Sequence, residues 1–75
     1  MEARVQITKD VRLSGESGES IEAAIASVLD RATTSLQDVL EYELVTVGGR
    51  LIAGTWVHVV TVDVTFAVKD ATTHG

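Results

Sequence analysis

The chain of 75 residues contains no cysteine, so no disulfide bond can stabilise it. Its two histidines, His58 and His74, do not occur with carboxylates at the spacing of known metal sites. A domain of this length buries only about 60% of the surface that its unfolded chain exposes, so it is marginally stable alone. Because small domains rely on disulfides, metals or partner subunits, the absence of the first two predicts a homo-oligomer.

Charge and hydropathy also argue against several classes of partner. The net charge is −5 and the basic residues are scattered, so we expect no binding to nucleic acid. No apolar run approaches the roughly 18 residues that a membrane span requires, and Met1–Arg4 do not lead into the apolar core of a signal peptide. No serine, histidine and acid occur at a spacing that indicates a nucleophile with its base. We therefore expect a cytoplasmic protein that is not an enzyme and whose partner is itself.

The first half of the chain predicts a strand, a turn and a helix. Polar and apolar residues alternate over residues 3–13, which is the period of a strand with one buried face. Residues 14–20 are rich in serine and glycine and predict a turn, in which Ser17 or Ser20 caps the helix. Over residues 19–38, apolar side chains recur at helical spacing and form one core-facing stripe. The stripe consists of Ile21, Ala24, Ile25, Val28, Leu29, Ala32 and Leu36.

The second half predicts two further strands. Alternation predicts a strand over residues 39–47, Gly48-Gly49 predicts a turn, and alternation resumes over residues 55–69. Residues 70–75 are expected to fray. The order β-α-β-β predicts a single α+β domain spanning the whole chain, with a three-stranded antiparallel sheet packed on one helix.

Apolar residues are predicted on both faces of this sheet, although one helix can cover only one face. The residues expected to pack on the helix, with Trp56 as part of the core, are Trp56, Val60, Val62, Val64 and Phe66. Those expected on the far face are Val45, Val47, Val57 and Val59. The third strand is also longer than the helix can cover. An uncovered apolar face usually marks a subunit contact, which again predicts self-assembly.

Several short segments of the chain occur in an order and at a spacing that are found together in one known family. Residues 15–24 form a glycine-led turn into a helix that opens with two alanines, and Arg31-Ala32 is an Arg-Ala pair late in that helix. Glu43 lies in the second strand, and Phe66 is an aromatic residue near the end of the third. With these features the chain resembles the dodecin family, and the resemblance implies a hollow shell of twelve identical subunits, with helices outside, that stores flavins in pairs without catalysis.

The same resemblance implies that the flavin contacts are altered in this chain. The family's tryptophan, which stacks on the flavin ring, falls at Glu41, and its glutamine falls at Val59 or Val60, depending on the direction of counting. A carboxylate and an aliphatic side chain replace an aromatic stack worth roughly 0.5–1.5 kcal/mol beyond area burial. We therefore expect FMN, FAD or riboflavin to bind weakly or not at all.

A second hypothesis concerns cations rather than flavins. Glu41, Glu43 and Asp63 share the sheet face turned away from the predicted helix. Repeated by symmetry, these carboxylates would form rings that attract hard cations such as Ca²⁺ or Mg²⁺. The alternative is that the carboxylates are solvated or form ion pairs with Arg4, Arg12 or Arg50, and the sequence leaves both interpretations open.

Overall fold

The computed structural model describes residues 7–68, and these form one sheet and one helix. The elements are β1 (Thr8–Ser17), α1 (Ile21–Ser35), β2 (Val39–Ile52) and β3 (Thr55–Ala67). The sheet order is β1-β3-β2, and both neighbouring pairs of strands are antiparallel. The predicted β-α-β-β fold of the α+β class is therefore confirmed. The predicted beginning of the first strand at residue 3, the frayed tail and His74 lie outside the described residues.

Helix α1 is shorter at both ends than the sequence predicts. Ser20 is its N-cap, because the Ser20 hydroxyl accepts a hydrogen bond of 2.9 Å from the backbone N–H of Ala23. The helix ends at Ser35, after which Leu36 has extended backbone dihedrals and Asp38 has a φ of +57°. Backbone in the left-handed region cannot continue a right-handed helix, so the chain turns into β2 here. No helix in residues 7–68 is long and apolar enough to cross a membrane.

The core lies between the predicted stripe of α1 and the central strand β3. The stripe contributes three of the buried side chains and β3 contributes the other three. They are Ala24, Val28, Ala32, Val60, Val62 and Val64. The two alanines bring the helix axis close to the sheet, and Gly15 of β1 completes this close approach. The predicted packing of alternate β3 valines against the helix is confirmed.

Two segments that the sequence assigns to turns belong to strands instead. Residues 14–17 extend β1 and pair with residues 58–61 of β3. Gly48-Gly49 lies within β2, which reverses only at Ala53-Gly54, where φ is +49° and +79°. Two consecutive positive φ values are typical of a type I′ turn, whose twist matches that of the flanking strands. The prediction that Gly48-Gly49 forms the turn is therefore wrong.

The pairing of β2 with β3 is irregular between Val39 and Glu41 and again between Leu44 and Thr46. The second irregularity changes which side chains of β2 share a face with Leu44. Leu44 pairs with Val62, but the next paired residue is Thr46, opposite Thr61, so Val45 occupies a bulge. An extra residue in one strand reverses the alternation of faces beyond it. Val47 therefore pairs with Val60 and lies on the helix side of the sheet. The prediction that Val47 belongs to the far face is wrong for this reason.

The helix covers only part of its own side of the sheet. It packs on β1 and β3 and touches β2 only marginally. The pairing of β1 with β3 ends at Ser17 and His58, so the hairpin of residues 49–57 continues as two strands alone. Trp56 lies on this projecting hairpin and is 66% exposed. The expectation that Trp56 is part of the core is therefore wrong, because α1 does not extend over it.

Candidate functional site

An uncovered apolar surface runs along β2 and onto the hairpin. Its side chains lie on the helix side, because each pairs with a buried β3 valine or with another member of the set. Their exposed fractions range from 38% to 66%. This surface, called the apolar strip below, consists of Tyr42, Leu44, Val47, Leu51 and Trp56.

The opposite face of the sheet carries Val57 and Val59 near the hairpin, as predicted, but its middle is polar and has a row of charges across all three strands. Asp63 on β3 lies between Arg12 on β1 and Glu43 on β2. Arg12 donates two hydrogen bonds to Asp63, from Nε to Oδ1 at 2.7 Å and from Nη2 to Oδ2 at 3.0 Å. These hydrogen bonds lower the pKa of Asp63 below its ordinary value, although desolvation opposes the effect, and they raise the pKa of Arg12. The Asp63 charge is thus already compensated within one chain.

The neighbouring row on this face has no basic member. Thr65 lies between Asp10 and Glu41, and its hydroxyl donates a hydrogen bond of 2.6 Å to Oδ1 of Asp10. At the other end of the face, Arg50 forms a looser ion pair of 3.6 Å with Glu16. Glu41 therefore lies in a row whose other polar members are an acid and a hydroxyl.

The three carboxylates predicted as cation ligands share one face as expected, but they do not form a metal site in one chain. Glu43 lies directly opposite Asp63, and Glu41 lies opposite Thr65, two positions further along β3. Within residues 7–68, no three histidine or carboxylate side chains are close enough together to hold a metal ion. A cation site on Glu41, Glu43 and Asp63 would therefore require copies of the chain, and it stays a prediction.

The two positions that match the family's flavin contacts are far apart in one chain. Glu41 lies opposite Thr65 and Val59 lies opposite Gly48, so the two rows are six residues apart along β3. At 3.3 Å per residue this is a separation of about 20 Å. Val60 is fully buried under α1, so only Val59 of the two alternative positions faces the accessible side. One planar ligand could contact both Glu41 and Val59 only if they came from different copies.

The membership of the apolar strip was only partly visible in the sequence. Simple alternation along the second strand puts Tyr42 and Leu44 on one face, but it would put Val47 and Leu51 on the other. The bulge at Val45 brings them to that face, and no composition signal marks it. Trp56 lies beyond the last residue of β3 that pairs with β1, and its exposure follows from strand bounds that alternation alone does not give.

The fold is that of solved dodecins. A point mutant of the Thermus thermophilus dodecin matches with a TM-score of 0.81 and 32% identity, over 89% of this chain and 100% of that one. The dodecin of Streptomyces davaonensis matches with a TM-score of 0.79 and 27% identity, over 87% and 97%. The calcium-chelating immunodominant antigen of Mycobacterium tuberculosis, a calcium dodecin, has a TM-score of 0.78 and 20% identity, over 91% and 99%, and shows the fold alone.

The sequence itself defines the family. The dodecin family model matches residues 7–69, which is most of the chain. The chain belongs to the dodecin family, and the resemblance in its turn, helix and strands is confirmed. No curated protein matches it.

Proposed function

We propose that this chain is the subunit of a closed, cytoplasmic homo-oligomer of twelve copies that binds or stores a small ligand and does not catalyse a reaction. The observation that carries the proposal is the apolar strip, which a single chain leaves in water. Each side chain in the strip is already partly buried, so complete burial by a neighbouring subunit would add roughly 0.5–2 kcal/mol per side chain. A second copy of the chain is the partner that membership of this family favours.

The shape of the chain supports the same proposal. Described residues extend over 58 Å in one direction but only 14 Å in the thinnest. A two-stranded hairpin is marginally stable in water, and the one here carries Leu51 and Trp56 at its end. Contacts between subunits would supply the packing that the projecting hairpin lacks.

Light scattering in native buffer tests the assembly. We expect the wild-type chain to have the mass of a closed oligomer, and Leu44→Glu and Trp56→Glu to have a much lower mass, because each would place a charge against an apolar neighbour. Ala26→Glu on the exposed face of α1 is the matched control and should leave the mass unchanged. A folded wild-type monomer at micromolar concentration would refute the proposal.

We further infer that the paired-flavin site of the family is weakened here. Glu41 supplies a carboxylate where the family stacks an aromatic ring, and Val59 supplies no hydrogen-bond donor or acceptor at the glutamine position. Both lie on the face of the sheet turned away from the helix. Flavin phosphate groups would also meet the negative charge of Glu41 and Glu43.

Fluorescence quenching during titration with riboflavin and FMN tests this inference. Wild-type protein should show no affinity in the submicromolar range, whereas Glu41→Trp with Val59→Gln should bind more tightly. Ala26→Trp is the control, since it adds an indole on the exposed face of α1, outside both the apolar strip and the polar face. Submicromolar binding by the wild type would contradict the inference, and equal gains in both variants would show that the position of the indole is irrelevant.

A second candidate function is binding of divalent cations between copies of the chain. It is favoured by the acidic rows of the polar face, where Glu41 and Glu43 form no ion pair with any residue between 7 and 68. The calcium dodecin of Mycobacterium tuberculosis, which has this fold, is a precedent for calcium chelation. Asp63 is the least available of the three predicted ligands because Arg12 already binds it.

Thermal unfolding with EDTA, Ca²⁺ or Mg²⁺ distinguishes this candidate. A cation that binds only the assembled state raises the unfolding midpoint by mass action. Glu41→Gln and Glu43→Gln should reduce that rise, and Glu22→Gln at the exposed start of α1 should not. Equal midpoints with EDTA and with cations would exclude the cation site. The ion pair with Arg12 would then be what compensates the charge of Asp63.

A further inference from the structure

A groove lies between α1 and the outer edge of β1, away from both the apolar strip and the polar face. Its volume is about 320 Å³, which is at the lower end of the range for small-molecule sites. The residues that line it are Leu13, Ser14, Gly15, Ser27, Val28 and Arg31. The groove is therefore part apolar and part polar, and it contains one charged group.

The polar groups of the groove are available to a ligand. Arg31 is exposed and forms no ion pair with any residue between 7 and 68. The hydroxyl of Ser27 also makes no side-chain hydrogen bond within this part of the chain. Ser14 pairs with Thr61, so its side chain lies on the polar face and only its backbone borders the groove. β1 is an edge strand of the sheet, so its outer edge presents backbone N–H and C=O groups without a strand partner. The guanidinium, the Ser27 hydroxyl and the N–H groups can donate hydrogen bonds to a ligand.

The remaining lining of the groove is aliphatic. Leu13 belongs to the helix side of β1 and is only partly buried against the core, whereas Val28 of α1 is 4% exposed, so Leu13 provides most of the aliphatic surface that a ligand can touch. A ligand that filled the groove would cover these side chains with its own apolar part. An aliphatic wall beside a guanidinium and a hydroxyl suits a molecule with one charged end and one short apolar end.

We propose that this groove binds a small amphipathic monocarboxylate, with the carboxylate on Arg31 and the Ser27 hydroxyl and the apolar part on Leu13 and Val28. A guanidinium binds a carboxylate through two parallel hydrogen bonds, which fixes its orientation. The net charge of −5 disfavours a phosphate dianion more than a carboxylate, because repulsion grows with the charge of the ligand. The site is separate from the predicted flavin and cation positions and does not depend on the proposed shell.

Equilibrium dialysis of the full-length protein with hexanoate tests the proposal, with hexanol and inorganic phosphate as comparison probes. We expect saturable binding of one hexanoate per chain, and weaker binding of both other probes. Arg31→Gln should weaken hexanoate binding about tenfold or more, since it removes hydrogen bonds to a charged group. Arg50→Gln is the matched control, because it removes the same charge from the opposite face of the sheet and should leave the affinity unchanged.

Four results would overturn the proposal. Hexanol binding as tightly as hexanoate would show that the carboxylate is not recognised. Equal losses in Arg31→Gln and Arg50→Gln, or no saturable binding at millimolar hexanoate, would remove the site. Light scattering completes the test, because a lower mass of Arg31→Gln than of Arg50→Gln would assign Arg31 to a contact between copies instead of to a ligand.

Discussion

Substitution of Gly15 by alanine should destabilise the fold at the contact between β1 and α1. A Cβ atom at Gly15 would overlap Cγ2 of Val28 and would lie 3.2 Å from the carbonyl oxygen of Ala24. Neither neighbour can move easily, because the Ala24 oxygen is helix backbone and a valine in a helix strongly prefers one χ1 rotamer. Overpacking of this kind costs about 1–3 kcal/mol.

Gly18→Ala provides the matched control. Both substitutions restrict the unfolded chain equally, which by itself stabilises a protein by about 0.4–1 kcal/mol. A Cβ atom at Gly18 would meet nothing within 4 Å, and its φ is not in the left-handed region. The difference in unfolding free energy between Gly15→Ala and Gly18→Ala therefore reports the clash, and we expect it to be about 1–3 kcal/mol.

A double-mutant cycle with Val28→Ala identifies the partner in the clash. Val28→Ala alone should cost about 2 kcal/mol, from lost burial and the cavity left behind. Adding Gly15→Ala to it should cost less than in the wild type, because the new methyl group occupies vacated space. Urea unfolding followed by circular dichroism, at one fixed subunit concentration, is the measurement. Equal stability of Gly15→Ala and Gly18→Ala would refute the reasoning.

Three further predictions concern the ion pair, the hairpin turn and the helix cap. Because Arg12 lowers the folded-state pKa of Asp63, the pair stabilises the fold above the ordinary value of 3.8 and is lost as pH falls through the lowered one. The unfolding midpoint of Asp63→Asn should therefore lie below that of the wild type near neutral pH and approach it in acid; a constant difference down to pH 2 would contradict this. Ala53→Asn should raise the free energy of unfolding by about 0.5–1 kcal/mol, and with it the thermal midpoint, since asparagine tolerates a φ of +49°. Gly54→Ala should lower the thermal midpoint, because the φ of Gly54 is +79°. Ser20→Ala should cost about 1 kcal/mol in urea unfolding, with recovery in Ser20→Asp, and an unchanged midpoint would remove the cap from the account.

Much of the fold could be predicted because its information is local. The stripe of α1 recurs with the period of a helix, and alternate valines of β3 recur with the period of a strand, so both core faces follow from the sequence. Ser20 was one of two candidate caps, and the choice needed only the position of the first helical turn. The order of elements and the family resemblance followed from these same local patterns.

The candidate site was predicted less completely, because it depends on pairing between distant strands. Alternation along a strand gives relative orientation only until a bulge, and the bulge at Val45 exists only in the register of β2 on β3. This long-range pairing moved Val47 to the helix side and, with Leu51 and Trp56, created the apolar strip. It also decided that the reversal falls at Ala53 and not at the glycine pair.

The partners of the charged residues were likewise decided by tertiary structure. The sequence determined that Glu41, Glu43 and Asp63 alternate onto one face and that arginines were available to pair with them. Only the pairing of β1 with β3 placed Arg12 directly opposite Asp63, where two hydrogen bonds compensate its charge. Periodicity thus determined the face on which each charge lies, whereas strand register, which sequence-distant contacts set, decided which charges meet.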